Sequence, residues 1–182
     1  MKIYLDMDGV LFDFLGAALN ENGIRLNGYS DIDIMQKDAF TIFNNNEEKF
    51  WHIIDSAGEN FWVNLPMFSW TFPLYNYLIS NYKEVYFCST PSRAPQSASG
   101  KLRCIIRHFG INKSRDYVLT PKKELLANYQ SVLINDKKSS IKKFRMAGGH
   151  GVLFPMGWND NCCVDKVDFV IRKLDEIHKT CN

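Results

Sequence analysis

The sequence predicts an α/β fold: an open, all-parallel sheet of about five strands with a small helical insertion after the first strand. Three observations carry this reading. Five short apolar runs lack the polar alternation of a half-exposed strand, as expected where both sheet faces are covered. Stretches with helical apolar spacing separate most of these runs. One long interval, 15–71, breaks the alternation and is rich in aromatic residues.

The strands are predicted over Ile3–Met7, Glu84–Cys88, Asp116–Thr120, Ser131–Asn135 and Gly151–Phe154. Ahead of the second strand, Leu74, Tyr77 and Leu78 give helical spacing across Phe72–Asn81. Lys101–Phe109 puts Leu102, Ile105, Ile106 and Phe109 on one face, and Gly110 suits a helix stop. Ser139–Ala147 reads as a basic helix ending at Gly148-Gly149, and Val164–His178 carries Val167, Val170, Ile171, Leu174 and Ile177 on one stripe. The Ser/Pro/Ala-rich stretch Thr90–Gly100 reads as a loop. The domain reading is therefore a core of residues 1–14 and 72–182 and a mostly helical insertion of residues 15–71.

Composition narrows the classes. The 182 residues are 46% hydrophobic and 23% charged, ordinary for a globular protein and enough for a core without disulfides. A net charge of +2 argues against nucleic acid as the main partner. No apolar run approaches the roughly 18 residues of a membrane helix, and acidic Asp6 and Asp8 follow the start almost at once. Five scattered cysteines point to free thiols and a cytoplasmic location. Cys162-Cys163 has no matching pair at zinc-site spacing.

Four elements at predicted strand ends carry chemistry. Asp6-Met7-Asp8-Gly9 places two carboxylates at the end of the first strand, suited to a hard cation such as Mg²⁺. They also suit divided labour, one attacking phosphorus and the other moving a proton. Ser89-Thr90 offers hydroxyls and amides for phosphate oxygens after the second strand. Lys122-Lys123 after the third strand offers charge neutralisation. Asp136 after the fourth adds a third acid and completes a Mg²⁺ set that keeps several waters. Each element alone is an ordinary turn or solvated loop; together they fall where open α/β sheets bind ligands.

In that order — acid pair, hydroxyl, lysine, acid — the chain resembles the haloacid dehalogenase superfamily, a Rossmann-like fold, over nearly all its length outside the insertion. Within it, Asp6-Met-Asp-Gly-Val-Leu-Phe-Asp-Phe14, Phe87-Cys-Ser-Thr-Pro91, Lys101 through Phe109-Gly110, Val118-Leu-Thr120 with Lys123, and Leu133-Ile-Asn-Asp136 are similar to segments of the 5'(3')-deoxyribonucleotidases. Two departures stand out: the hydroxyls of Ser89-Thr90 are swapped, and Asn135 replaces an aspartate, which removes one charge beside the metal site.

The resemblance implies a Mg²⁺-dependent phosphatase for deoxyribonucleoside monophosphates. Asp6 would be the nucleophile and form an aspartyl-phosphate, and Asp8 the general acid and base. Asp6, the Asp8 carbonyl and Asp136 would hold Mg²⁺. Ser89, Thr90 and Lys123 would bind phosphate, with Lys101 and Lys122 as alternative cations. A cap covering the site is expected over 15–71; Phe14 of the first motif would stack on the base, with Trp62 and Phe61 of the cap as looser candidates. The implied partner is a small-molecule nucleotide, with a homodimer left open. Two other readings stay open: a phosphatase for another phosphorylated metabolite or a polynucleotide 3'-end, and a protein that binds phosphorylated ligands without turnover.

Overall fold

The computed structural model describes residues 1–24, 47–159 and 165–181. The described residues form five strands and seven α-helices: β1 (Lys2–Leu5), α1 (Phe14–Glu21), α2 (Glu47–Ser56), α3 (Gly58–Val63), α4 (Thr71–Asn81), β2 (Glu84–Ser89), α5 (Pro95–Phe109), β3 (Tyr117–Leu119), β4 (Ser131–Asn135), α6 (Lys138–Met146), β5 (His150–Leu153) and α7 (Lys166–Cys181). The strands pair in parallel in the order β3-β2-β1-β4-β5. The chain runs outward from β1 through β2 to β3, then crosses back to β4 on the other side. The switch point thus lies at β1 and β4, where the crevice at the strand ends of such a sheet opens.

The predicted fold class matches this architecture, and the central strands explain why. Ile3, Leu5, Val132, Leu133 and Ile134 are fully buried, so the middles of both strands are apolar, and the buried polar residues Ser131 and Asn135 stand only at the ends of β4. On one face Tyr4, Cys88, Leu133, Ile141 and Phe144 pack together. Elsewhere in the core Tyr75 of α4 stacks on Phe87 of β2, with ring centroids 5.4 Å apart. Val170 and Leu174 of α7 are also fully buried.

Beyond shifts of one residue at element ends, three local readings differ from what is observed. β1 ends at Leu5 and not at Met7, because the Met7 carbonyl accepts from the amides of Val10, Leu11 and Phe12 and turns the chain. Residues Thr90–Gly100 are not wholly a loop: α5 begins at Pro95. A proline at the first helical position has no amide to leave unsatisfied and a φ already helical, and Ala94 before it is extended. The stretch read as Val164–His178 is helical over Lys166–Cys181; Val164 lies outside the described residues.

By its internal contacts the chain divides into two compact units. The first, Met1–Phe12, Met67–Thr90 and Asp116–Asn182, contains the sheet. Here Trp70 Nε1 donates to the Val10 carbonyl at 2.9 Å and Thr71 Oγ1 to the Leu11 carbonyl at 2.6 Å. Trp70 and Thr71 thus hold the loop after β1, as does the Phe68 amide, which donates to the Leu11 carbonyl at 3.1 Å, although the sequence reading groups all three with the insertion. The second unit, Asp13–Pro66 and Pro91–Arg115, joins α5 to the helices of the insertion. Its closest seam is α3 on α5: a Cβ at Gly100 would come within 2.6 Å of Trp62 Cβ and 2.9 Å of the Glu59 carbonyl oxygen. Of the cysteines, Cys88 and Cys104 are buried free thiols; Cys162, Cys163 and the Cys181 side chain lie outside the described residues. Among the described residues no helix is long and apolar enough to cross a membrane.

Candidate active site

Parallel pairing brings the ends of β1, β2 and β4 to one edge of the sheet. Leu5 is level with Phe87 and Ile134, and the Asp6 amide donates to the Ile134 carbonyl at 3.0 Å. Asp6 is therefore the first residue past β1 at the switch point, with Asn135 and Asp136 beside it at the end of β4. On the other side, Ser89 closes β2 and is fully buried. Its carbonyl accepts from the Thr120 amide at 2.9 Å, and Thr90 Oγ1 donates to the Thr120 carbonyl at 3.1 Å. The loops after β2 and β3 are thereby tied together.

Asp6 is the electrostatic centre. It is 7% exposed, and Lys123, 5% exposed, places Nζ 2.7 Å from its Oδ1. The Met7 amide donates to the same oxygen at 2.9 Å. Asn135 Nδ2 donates to Asp6 Oδ2, while Asn135 Oδ1 accepts from the Lys137 amide at 2.7 Å. The Lys137 amide can only donate, so it sets which end of Asn135 faces Asp6. Burial alone would pull the Lys123 ammonium down, but the charge of Asp6, then Cys88, the hydrogen bond to Asp6 and the charge of Asp8 together outweigh it and move the group up. Lys123 is thus a cation at neutral pH. Lys122 is exposed, and its amide donates to Thr120 Oγ1 at 3.0 Å. Of the two neighbouring lysines, Lys123 is the one that meets the carboxylate. Burial pushes the nearby Cys88 thiol up to about 12, with the charge of Asp6 adding and that of Lys123 opposing, so it remains a thiol.

Asp136 lies against the loop after β1. Its Oδ2 accepts from Trp158 Nε1 at 2.9 Å. Burial and then the charge of Asp6 push its carboxyl up to about 7, against the pull of the Trp158 hydrogen bond and Lys123. Gly9, at φ +73, makes the approach feasible: a Cβ there would stand 2.3 Å from Asp136 Oδ2 and 3.1 Å from Trp158 Cζ2. Gly9→Ala is expected to lower stability by about 2 kcal/mol or more, through left-handed strain plus this clash. Urea unfolding measures it, and an unchanged midpoint would contradict the packing described.

The donor set fits a hard dication. Asp6, Asp136 and the Asp8 carbonyl are all oxygen donors, and the charge of Asp6 that helps hold the Asp136 carboxyl up is what a cation would relieve. The space a Gly9 side chain would fill is occupied by a carboxylate oxygen. Among the described residues no three His, Cys, Asp or Glu side chains group as a metal site. Two carboxylates, a carbonyl and waters are nonetheless a usual complement for Mg²⁺.

The remaining predicted residues lie in the second unit and meet each other. Phe14 stacks on Trp62 at 5.4 Å and on Trp51 at 5.9 Å, and Phe61 meets Phe14 edge-on. Lys101 is fully buried, with Nζ 4.9 Å from the Trp62 ring centroid. Sequence reasoning missed Trp158 and Asn159. Asn159 Nδ2 donates to the main-chain carbonyls of Asp136 and Phe154 at 3.0 and 2.6 Å. The available signal was position alone: a Trp-Asn pair shortly after the last strand, at the same edge of the sheet.

The model of the family 5' nucleotidase, deoxy (pyrimidine), cytosolic type C protein matches residues 1–168. No curated protein matches the chain. Among solved structures, it is similar to a hydrolase from Streptococcus pneumoniae at 15% identity and TM-score 0.51, covering 96% of this chain and 97% of that one. It is also similar to a HAD-superfamily hydrolase from Ehrlichia chaffeensis at 14% identity and TM-score 0.51, covering 100% and 97%. A third is YfnB of Bacillus subtilis, assigned to the HAD hydrolases and described as bound to magnesium, at 14% identity and TM-score 0.50, covering 82% and 84%. These likenesses concern the fold.

Proposed function

The chain belongs to the 5' nucleotidase, deoxy (pyrimidine), cytosolic type C family, whose members are phosphoric monoester hydrolases, and from that premise we propose that it hydrolyses deoxyribonucleoside monophosphates through Asp6 with Mg²⁺. The observation that carries this reading is the buried Asp6 carboxylate, oriented by Lys123, the Met7 amide and Asn135 at the switch point of the sheet.

In this reading a carboxylate oxygen of Asp6 attacks phosphorus in line, and the ester P–O bond breaks. Asp8 gives its proton to the leaving sugar oxygen. Asp8 then takes a proton from water, whose oxygen attacks phosphorus and releases orthophosphate and free Asp6. Ser89, Thr90 and Lys123 bind phosphate oxygens, and Lys123 compensates the charge as it moves from Asp6 onto the phosphoryl group. Mg²⁺, held by Asp6, Asp136 and the Asp8 carbonyl, supplies charge neutralisation at the phosphoryl oxygens when bound. Residues 15–71 act as a cap in this reading; Trp62 and Lys101, fully buried against each other, brace the interior of the second unit, and Phe14, half-buried, is the aromatic left to meet the base. The protein works in the cytoplasm.

Phosphate release from a panel of deoxyribonucleotides, ribonucleotides and other phosphorylated metabolites, with Mg²⁺ and with excess EDTA, tests this. We expect turnover of deoxynucleotides that EDTA abolishes and added Mg²⁺ restores. Turnover confined to other metabolites would overturn the substrate assignment, and turnover unaffected by EDTA would overturn the metal.

A further inference from the structure

Asp136 is held twice from the short turn Gly157–Asn159 that follows β5. Asn159 fixes its main-chain carbonyl at 3.0 Å, and Trp158 fixes its carboxylate at 2.9 Å. The turn is itself braced, because Asn159 also donates to the Phe154 carbonyl at 2.6 Å and accepts from the Met156 amide at 3.1 Å. Asn159 is buried at 2% exposure, so this brace is shielded from water. The indole ring is more than a donor: its Cζ2 is 3.1 Å from where a Gly9 Cβ would stand, so the ring lies along the loop that carries Asp8.

We propose that Trp158 is a positioning residue that orients Asp136 for a divalent cation. An indole N–H donates and never accepts, so it takes a lone pair of Asp136 Oδ2 and fixes the plane of the carboxylate. One lone pair of Oδ2 is thereby used, which would leave Oδ1 the freer oxygen for a cation. A ligand held in its binding orientation loses less freedom when the cation arrives, which is how outer-shell partners strengthen metal sites. The ring's bulk also takes space that water would fill beside Oδ2. The inference rests on the reading of Asp136 as a cation ligand.

Mg²⁺ titration calorimetry on the full chain tests it, with three proteins beside the wild type: Trp158→Phe, Asp136→Asn, and a chain with β-(3-benzothienyl)alanine at position 158. The last keeps the ring volume and puts sulfur where the N–H was. Both position-158 proteins are expected to bind Mg²⁺ about 10- to 100-fold more weakly. Their kcat should recover at saturating Mg²⁺, so the loss lies in apparent metal affinity and not in the chemical step. Wild-type affinity in the benzothienyl protein would overturn the inference, even if Trp158→Phe misfolds. Failure of the underlying reading looks different: Asp136→Asn would then bind Mg²⁺ as tightly as the wild type.

Discussion

Asp6→Asn should lower kcat/KM for a deoxynucleoside monophosphate by about 10⁴-fold or more, the scale of loss when a covalent nucleophile is removed. The substitution conserves shape. It replaces an anionic oxygen with an amide that has no comparable nucleophilicity, and it leaves the Lys123 ammonium, 2.7 Å from Oδ1 in the native protein, facing a neutral group. Binding should persist while turnover stops, so inorganic phosphate should still protect the variant against thermal unfolding. Steady-state phosphate release and a rapid acid quench for acyl-phosphate are the measurements. Activity within tenfold of wild type would remove Asp6 from the chemistry. It would leave the protein a phosphatase by some other group.

Lys123→Met should be the more damaging change to the fold. It deletes one half of a buried ion pair and strands the Asp6 carboxylate, a loss of about 3 kcal/mol on the usual scale for breaking such pairs. Turnover should fall by about 10²–10³-fold, the range for removing one preorganised charge-stabilising donor. The sign of the pH dependence follows from the raised Lys123 pKa. Stabilisation from the pair is complete below the ordinary lysine pKa of 10.5 and is lost only as pH rises through the higher folded value. The deficit of Lys123→Met should therefore be full at neutral pH and shrink in strongly alkaline solution. Adding Asp6→Asn should restore much of the stability and none of the activity, because the stranded charge is gone. Additive stability losses in the double variant would show that the two groups do not act as a pair.

Asn135 shows how a sequence departure reads differently once it is placed. By resemblance it is a lost aspartate and a reason to suspect a protein that binds without turnover. In the structure its amide meets both the nucleophile's carboxylate and the Lys137 amide. A second carboxylate there would face Asp6 with like charge, so the amide is a coherent choice at that position.

The sequence by itself determined the sheet, because strands buried on both faces admit almost nothing but apolar residues, and Ile3–Leu5 and Val132–Ile134 show it. It also determined which chemical groups stand at the strand ends: Ser89 closes a strand, and Asp6, Asp8, Lys123 and Asp136 each follow one within a few residues. Only the tertiary structure decided that Lys123 and not Lys122 reaches Asp6, that Asn135 braces the nucleophile, and that Trp158 holds Asp136. Those contacts join residues as far as 129 positions apart. They depend on strand order and on single side-chain orientations, which leave no period in the sequence. Helix periodicity and strand composition are local and repeat along the chain; a hydrogen bond across a switch point happens once.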